Sequence, residues 1–143
     1  DATALAQGFK SLTKHRASLY SLELQQFAWC AKEIVKNRIA MQCVLFDVNA
    51  CRNIDYDPEV KIREDYDLSF QAILKANGTL RTAKYCYGIA AMKSQKGGMS
   101  EWYNDAYEKE QVKILCKKYP GLVTPVYKKN RYDVKVNWRR CGL

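Results

Sequence analysis

Apolar residues recur at helical spacing through the N-terminal part of the chain. The first stripe steps by three or four residues and comprises Leu5, Phe9, Leu12, Arg16 and Leu19, with the arginine as its polar exception. A second stripe, in a shifted register, runs from Leu24 to Val35. Spacing of this kind is typical of an amphipathic helix. The pattern therefore predicts one long helix over roughly the first forty residues, bent or broken near Ser18–Ser21.

The period changes after Ile39. Residues 41–48 are a short, mostly apolar run with valine and phenylalanine, which predicts a buried strand. Residues 49–59 are polar and rich in Asn and Asp, with a proline at Pro58, and this composition predicts a loop.

Alternation of apolar and other residues is clearest on either side of Asn77-Gly78. Before this dipeptide the alternating positions are Leu68, Phe70, Ala72 and Leu74. After it, the segment from Thr79 to Gly88 leads away. Asn-Gly is the preferred dipeptide of a two-residue type I′ turn. The pattern predicts a central antiparallel hairpin that turns at Asn77-Gly78.

The C-terminal part predicts a helix followed by a strand. Ser100 is a candidate N-cap for a helix near 101–118, which Pro120-Gly121 would end. Alternation of Tyr132, Val134, Val136 and Trp138 with polar residues predicts a C-terminal strand. Helices grouped around an antiparallel sheet indicate the α+β class. Since 143 residues suit one domain, we predict a single domain over residues 1–143.

The cysteines and the first residue favour secretion. The chain has an even number of cysteines, namely Cys30, Cys43, Cys51, Cys86, Cys116 and Cys141. Six cysteines in a small basic chain predict three disulfides that stabilise the fold in an oxidising compartment, and the alternative is buried free thiols of an intracellular protein. The sequence starts at Asp1, as expected after removal of a signal peptide. Asn77-Gly78-Thr79 is also a candidate N-glycosylation site, although the turn alone accounts for these residues.

Positive charge is concentrated near the C-terminus. The chain carries +9, and residues 109–143 hold ten basic and two acidic residues, a local net charge of +8. Tyrosines and a tryptophan lie among these bases, and such surfaces bind sulfated, phosphorylated or carboxylated polymers. The predicted anion-binding residues are Lys117, Lys118, Lys128, Lys129, Arg131, Arg139, Arg140 and Tyr127. The alternative is a solvated basic face whose aromatic side chains point into the core.

Other kinds of site have weaker support in the sequence. Oxygen ligands for calcium occur at Asp47, Asn49, Asp55, Asp57 and Glu59. However, Cys51, Arg52 and Pro58 stand where an EF-hand needs a ligand, a glycine and an acid. We therefore expect no metal site. His15 is the sole histidine and has cationic neighbours, and the chain has no nucleophile-elbow or phosphate-loop motif. We predict no catalytic residues and no cofactor.

These observations predict a secreted, monomeric, non-enzymatic binding protein, such as a toxin-like effector or inhibitor. Its expected partner is an anionic polysaccharide of the heparin type, an anionic lipid or an acidic protein surface, with nucleic acid less favoured. A carrier of a small hydrophobic or amine ligand in an aromatic-lined pocket is the second hypothesis. A small secreted hydrolase is the third. No apolar run is long enough to predict a transmembrane segment.

Overall fold

The computed structural model of the chain describes residues 2–89 and 104–142. This part is a mixed α+β structure with four α-helices and two sheets, in agreement with the predicted class. The chain divides into two compact units. The first unit comprises residues 1–55 and 68–89, and the second comprises residues 56–67 and 90–143. The single-domain organisation over residues 1–143 stays a prediction.

A four-stranded sheet with helices on its faces forms the first unit. Its elements are α1 (Ala2–His15), β1 (Leu19–Leu24), α2 (Gln25–Ala28), β2 (Ile34–Lys36), β3 (Val44–Phe46), most of α3 (Glu64–Lys75) and β4 (Thr79–Tyr87). The strand order is β2-β4-β1-β3. The central pair β1 and β4 is parallel, and both edge strands are antiparallel to their neighbours. β3 lies within the strand predicted at 41–48, and the predicted loop at 49–59 contains neither helix nor strand.

The single long N-terminal helix is wrong beyond His15. Arg16 has φ of 52°, a left-handed conformation that ends α1, and the chain then turns into β1. β1 is a central strand, and five of its six residues are buried. A strand buried on both faces shows no alternation, so its apolar residues fit a helical spacing equally well. The second predicted stripe begins at the last residue of β1 and continues through the short helix α2 into β2.

Only the second strand of the hairpin predicted at Asn77-Gly78 is present in the structure. β4 is the predicted second strand, but the segment before the turn is helix α3. All six residues from Asp67 to Ala72 are buried. The alternation of apolar and polar residues along this segment therefore does not distinguish a buried face from an exposed one, as it would in a half-buried strand. The acidic first turn of α3 and its terminal Lys75 complement the helix dipole, and these were the helix signals in the sequence.

Gly78 ends helix α3 instead of turning a hairpin. Its φ is +80°, and its amide donates to the carbonyl of Ala72 at 2.9 Å. A bond of this span closes the C-terminal turn of a helix and favours glycine at the left-handed residue. The turn is anchored to the sheet because the amide of Asn77 donates to Ser18 Oγ at 2.8 Å.

The second unit is built from one helix, a two-stranded sheet and a 3-10 helix. The elements are α4 (Asp105–Lys118), β5 (Val123–Lys128), β6 (Arg131–Val136) and the 3-10 helix Trp138–Cys141. α4 ends at the predicted residue, whereas Ser100 and the predicted start at residue 101 lie outside the described residues. β6 confirms the C-terminal strand as far as Val136, whereas Trp138 belongs to the 3-10 helix and not to the strand. β5 was not predicted. The core contains Val112, Leu115, Leu122, Val123 and Val134.

The predicted disulfides are not shown by the structure. All six cysteines lie in the described residues, and each is present as a thiol. Cys30, Cys43 and Cys86 are exposed, whereas Cys141 is buried. The stability visible in the structure therefore comes from packing and polar contacts.

None of the helices in residues 2–89 and 104–142 has the length and apolar character needed to cross a membrane.

Candidate polyanion-binding site

The C-terminal hairpin is the scaffold of the predicted basic site. β5 and β6 are antiparallel, and their last pair is Lys128 with Arg131. The two turn residues, Lys129 and Asn130, have φ of 52° and 55°. Two successive left-handed residues define a type I′ turn, which matches the twist of the strands. The two-residue turn expected at Asn77-Gly78 therefore occurs here, and it places Lys128 and Lys129 at an exposed tip.

Aromatic rings lie directly behind this tip. Tyr127 and Tyr132 are cross-strand partners, and their ring centroids are 5.0 Å apart in an edge-to-face arrangement. Lys109 Nζ of α4 lies 5.7 Å from the centroid of the Tyr132 ring. Tyr127 is 56% exposed, so its ring is available for stacking. The tip group thus consists of Lys109, Lys128 and Lys129 with Tyr127.

A second group of bases lies at the other end of the hairpin. Lys117 is exposed in the last turn of α4, and Arg139 and Arg140 are exposed in the 3-10 helix that follows β6. Gly121, with φ of +73°, lies against Arg140 so closely that a Cβ there would be 2.6 Å from the guanidinium. Gly121 therefore permits the approach of Arg140. The base group consists of Lys117, Arg139 and Arg140.

The hairpin separates the two groups. The Lys128–Arg131 pair at the tip and the Val123–Val136 pair at the base are five residues apart along each strand. At about 3.3 Å per residue the separation is about 16 Å. The predicted patch is therefore a pair of cationic groups, with exposed Lys135 on β6 between them. An extended polyanion is suited to such spacing, because its charges repeat along a chain.

Two of the predicted anion-binding residues are paired with carboxylates inside the second unit. Arg131 Nε lies 3.9 Å from Glu108 Oε2, and Glu108 is buried in α4. Lys118 Nζ lies 2.5 Å from Asp57 Oδ2 and 2.8 Å from Asp67 Oδ1. These contacts occupy both cations, whereas Lys117, Lys128, Lys129, Arg139 and Arg140 are exposed.

The two carboxylates around Lys118 act on its ionisation. Burial lowers the pKa of Lys118, but the hydrogen bonds to Asp57 and Asp67 outweigh this effect and raise it above its usual value. The same hydrogen bond lowers the pKa of Asp57. Tyr119 completes the cluster, since its hydroxyl donates to Asp67 Oδ1 at 2.7 Å. We name these four residues the Lys118 cluster. It holds the C-terminal end of α4 to the segment 56–67.

A second buried pair connects the same segment to the hairpin. Arg63 Nη1 lies 3.0 Å from Asp133 Oδ1, and Arg63 Nη2 donates to the carbonyl of Tyr132 at 2.6 Å. The segment also bonds to α4, because Gln111 accepts from the amide of Lys61 and donates to the carbonyl of Glu59. Sequence reasoning missed these interactions. The only signal for them in the sequence is a run of acids in one segment and an excess of bases in another.

The other candidate sites have simple local explanations. The Asp47 carboxylate accepts from the amides of Asn49 and Ala50, and Asp57 accepts from the amide of Glu59. In residues 2–89 and 104–142, no three His, Cys, Asp or Glu side chains come together in a way that would hold a metal ion. His15 is the last residue of α1. Asn77, the candidate glycosylation site, is exposed.

An open cleft lies in the first unit. It is lined by Leu24, Gln25, Gln26, Tyr87, Gly88 and Ile89. Tyr87 is the only aromatic member of this lining, so the cleft does not resemble the aromatic-lined pocket of the carrier hypothesis.

A comparison of the chain with protein-family models, with curated proteins and with solved structures found no match.

Proposed function

We propose that this protein binds a sulfated polysaccharide of the heparin type through its C-terminal hairpin, and that it acts by binding without catalysis. The observation that carries the proposal is that exposed cationic groups lie at the two ends of one hairpin, whose end pairs are about 16 Å apart along the strands. Each group supplies charge, and Tyr127 supplies a stacking surface at the tip. Arg131 pairs with Glu108 and thereby connects the hairpin to α4, and Lys118 connects α4 to the segment 56–67.

A polysaccharide is favoured over an acidic protein surface by this spacing. A polyanion repeats its charges, so it reaches both groups without a complementary shape. An acidic protein surface would need its own carboxylates at the same separation. An inhibitor or effector role outside the cell is compatible with either partner.

If the proposal is correct, the exposed bases at both ends of the hairpin contribute to retention on a heparin column. K128A/K129A removes the tip charges, and R139A/R140A removes two charges of the base group. We expect each variant to elute from heparin at lower salt than the wild type. The slope of log affinity against log salt should fall by roughly one unit for each base that no longer pairs with the polymer.

The matched control is K10A/K14A, which removes two exposed lysines of α1 and changes the net charge equally. We expect its elution to stay close to that of the wild type. If all three double variants elute together, heparin responds only to net charge and the hairpin site is wrong. If the hairpin variants bind heparin normally but lose an acidic protein partner, the proposed ligand class is wrong.

Secretion is the second part of the proposal, and it predicts disulfides. Each unit has an even number of cysteines, since the first unit holds Cys30, Cys43, Cys51 and Cys86 and the second holds Cys116 and Cys141. Disulfides within each unit are therefore possible without a link between units. Protein purified from a secreting host should show no reactive thiol when titrated in denaturant. Six reactive thiols with full heparin binding would contradict the disulfide prediction and leave the hairpin site intact.

A further inference from the structure

One edge of the sheet in the first unit exposes several apolar side chains. The chain between β1 and β2 carries Phe27, which is 49% exposed, and Trp29, which is 86% exposed. Ile34, the first residue of edge strand β2, is 41% exposed. Exposed apolar residues grouped in one short stretch of the chain, here residues 27–34, indicate an interaction surface more strongly than a single one does. We name Phe27, Trp29 and Ile34 the apolar edge.

The exposed Trp29 side chain already has a hydrogen-bond acceptor for its indole N–H. Its indole N–H donates to the carbonyl of Gln26 at 3.1 Å, one turn earlier in the chain. Transfer of the ring out of water therefore leaves no unpaired donor, which removes the main cost of burying an indole.

Phe27 and Trp29 lie in the connection between strands β1 and β2. Leu24, at the end of β1, pairs with Tyr87 of β4, and Ile34, at the start of β2, pairs with Thr82 on the other side of β4. Residues 25–33 therefore cross from one side of β4 to the other near its C-terminal end. Phe27 and Trp29 belong to this crossing.

Lysines accompany the apolar edge. Lys32 is in the crossing, Lys36 is on β2, and Lys84 is on β4 two residues beyond the partner of Ile34, and all three are exposed. Glu33 is the acid between them, so this stretch keeps a positive net charge. The first unit as a whole has ten basic and five acidic residues, a net charge of +5.

We propose that the apolar edge, together with Lys32, Lys36 and Lys84, docks on an anionic lipid surface. Aromatic rings with adjacent lysines are the combination that binds at the interface of a bilayer, where the rings enter the headgroup region and the lysines face the phosphates.

The test measures binding to vesicles by cosedimentation. One set of vesicles is phosphatidylcholine alone, and the other is phosphatidylcholine mixed with phosphatidylserine. We expect binding to the mixed vesicles and much weaker binding to phosphatidylcholine alone. Trp29→Ser should lower binding to mixed vesicles at least tenfold, because it removes one aromatic side chain that the bilayer buries. K32A/K84A should lower it about 25-fold, since each lysine near an anionic surface contributes about fivefold.

Val48→Ser is the matched control. Val48 is 76% exposed and follows β3, the edge strand opposite β2, so the same apolar-to-polar change falls on the other edge of the sheet. We expect it to bind vesicles as the wild type does. A variant with Trp102 and Trp138 replaced by phenylalanine isolates the emission of Trp29, which should shift to shorter wavelength on mixed vesicles.

Two results would overturn the lipid-docking proposal. One is unchanged vesicle binding by Trp29→Ser together with loss of binding by K128A/K129A, which would assign lipid binding to the hairpin. The other is an emission maximum of Trp29 that does not move on mixed vesicles. Heparin elution of Trp29→Ser separates the two proposals, because the hairpin site predicts that this variant elutes as the wild type does.

Discussion

Arg63→Ala is expected to destabilise the second unit by about 3–5 kcal/mol. The Arg63 side chain is only 4% exposed, and it forms both an ion pair with Asp133 and a hydrogen bond to the Tyr132 carbonyl. Removing the guanidinium leaves a partly buried carboxylate and a carbonyl without this donor, and loss of one member of a buried pair carries the largest cost. Chemical denaturation followed by circular dichroism measures the change.

Two companion variants distinguish this pair from a surface interaction. Lys113→Ala removes an ion pair of 3.9 Å to Glu110 in which both side chains are exposed, and we expect a loss of no more than about 1 kcal/mol. R63M/D133V removes both members of the buried pair and should recover part of the stability that Arg63→Ala removes. A loss below about 1 kcal/mol for Arg63→Ala would mean that the pair does not hold the hairpin.

The elements that the sequence predicts correctly are those with a local signal. β6 alternates because one of its faces packs on α4, and the end of α4 is marked by basic residues and by Pro120-Gly121. β3 is a short apolar run between polar stretches. In each case the residues that define the element are neighbours in sequence.

The two errors come from segments whose burial removes the pattern. β1 is buried on both faces, and the middle of α3 is buried throughout, so neither segment presents the polar positions that fix a period. The Asn-Gly signal misled for a second reason, because glycine with positive φ serves a helix end as well as a hairpin. The actual type I′ turn uses Lys129-Asn130, which is a weaker sequence signal.

The candidate site was located by charge, but its internal partners were not. Sequence reasoning grouped Lys118 and Arg131 with the exposed bases because all of them belong to one basic segment. The carboxylate partners of Lys118 are Asp57, in the segment predicted as a loop, and Asp67, at the start of the segment predicted as a strand, about sixty and fifty residues earlier in the chain. Such pairing depends on tertiary structure, and no local pattern reports it.

Asp65→Asn is expected to stabilise the protein above neutral pH. Burial, and then the charge of Glu64, raise the pKa of Asp65 from 3.8 to about 6. The folded state therefore binds more protons than the unfolded state between pH 3.8 and 6, so this group makes stability fall as the pH rises through that window. Above pH 6 the carboxylate is ionised in both states and the loss is complete. Asparagine is neutral at every pH, so the Asp65→Asn variant does not lose this stability.

The expected gain at pH 8 is about 1–2 kcal/mol, because the helix N-terminus favours the carboxylate and offsets part of the roughly 3 kcal/mol that this pKa difference represents. Urea denaturation of both proteins from pH 4 to pH 8 should show curves that converge near pH 4 and separate above pH 6. Glu64→Gln is the control, since Glu64 is exposed beside Asp65, and its own change should stay within about 0.5 kcal/mol. Parallel curves for Asp65→Asn and the wild type would mean that Asp65 ionises normally in the folded protein. In that case the first turn of α3 is more hydrated than its burial indicates.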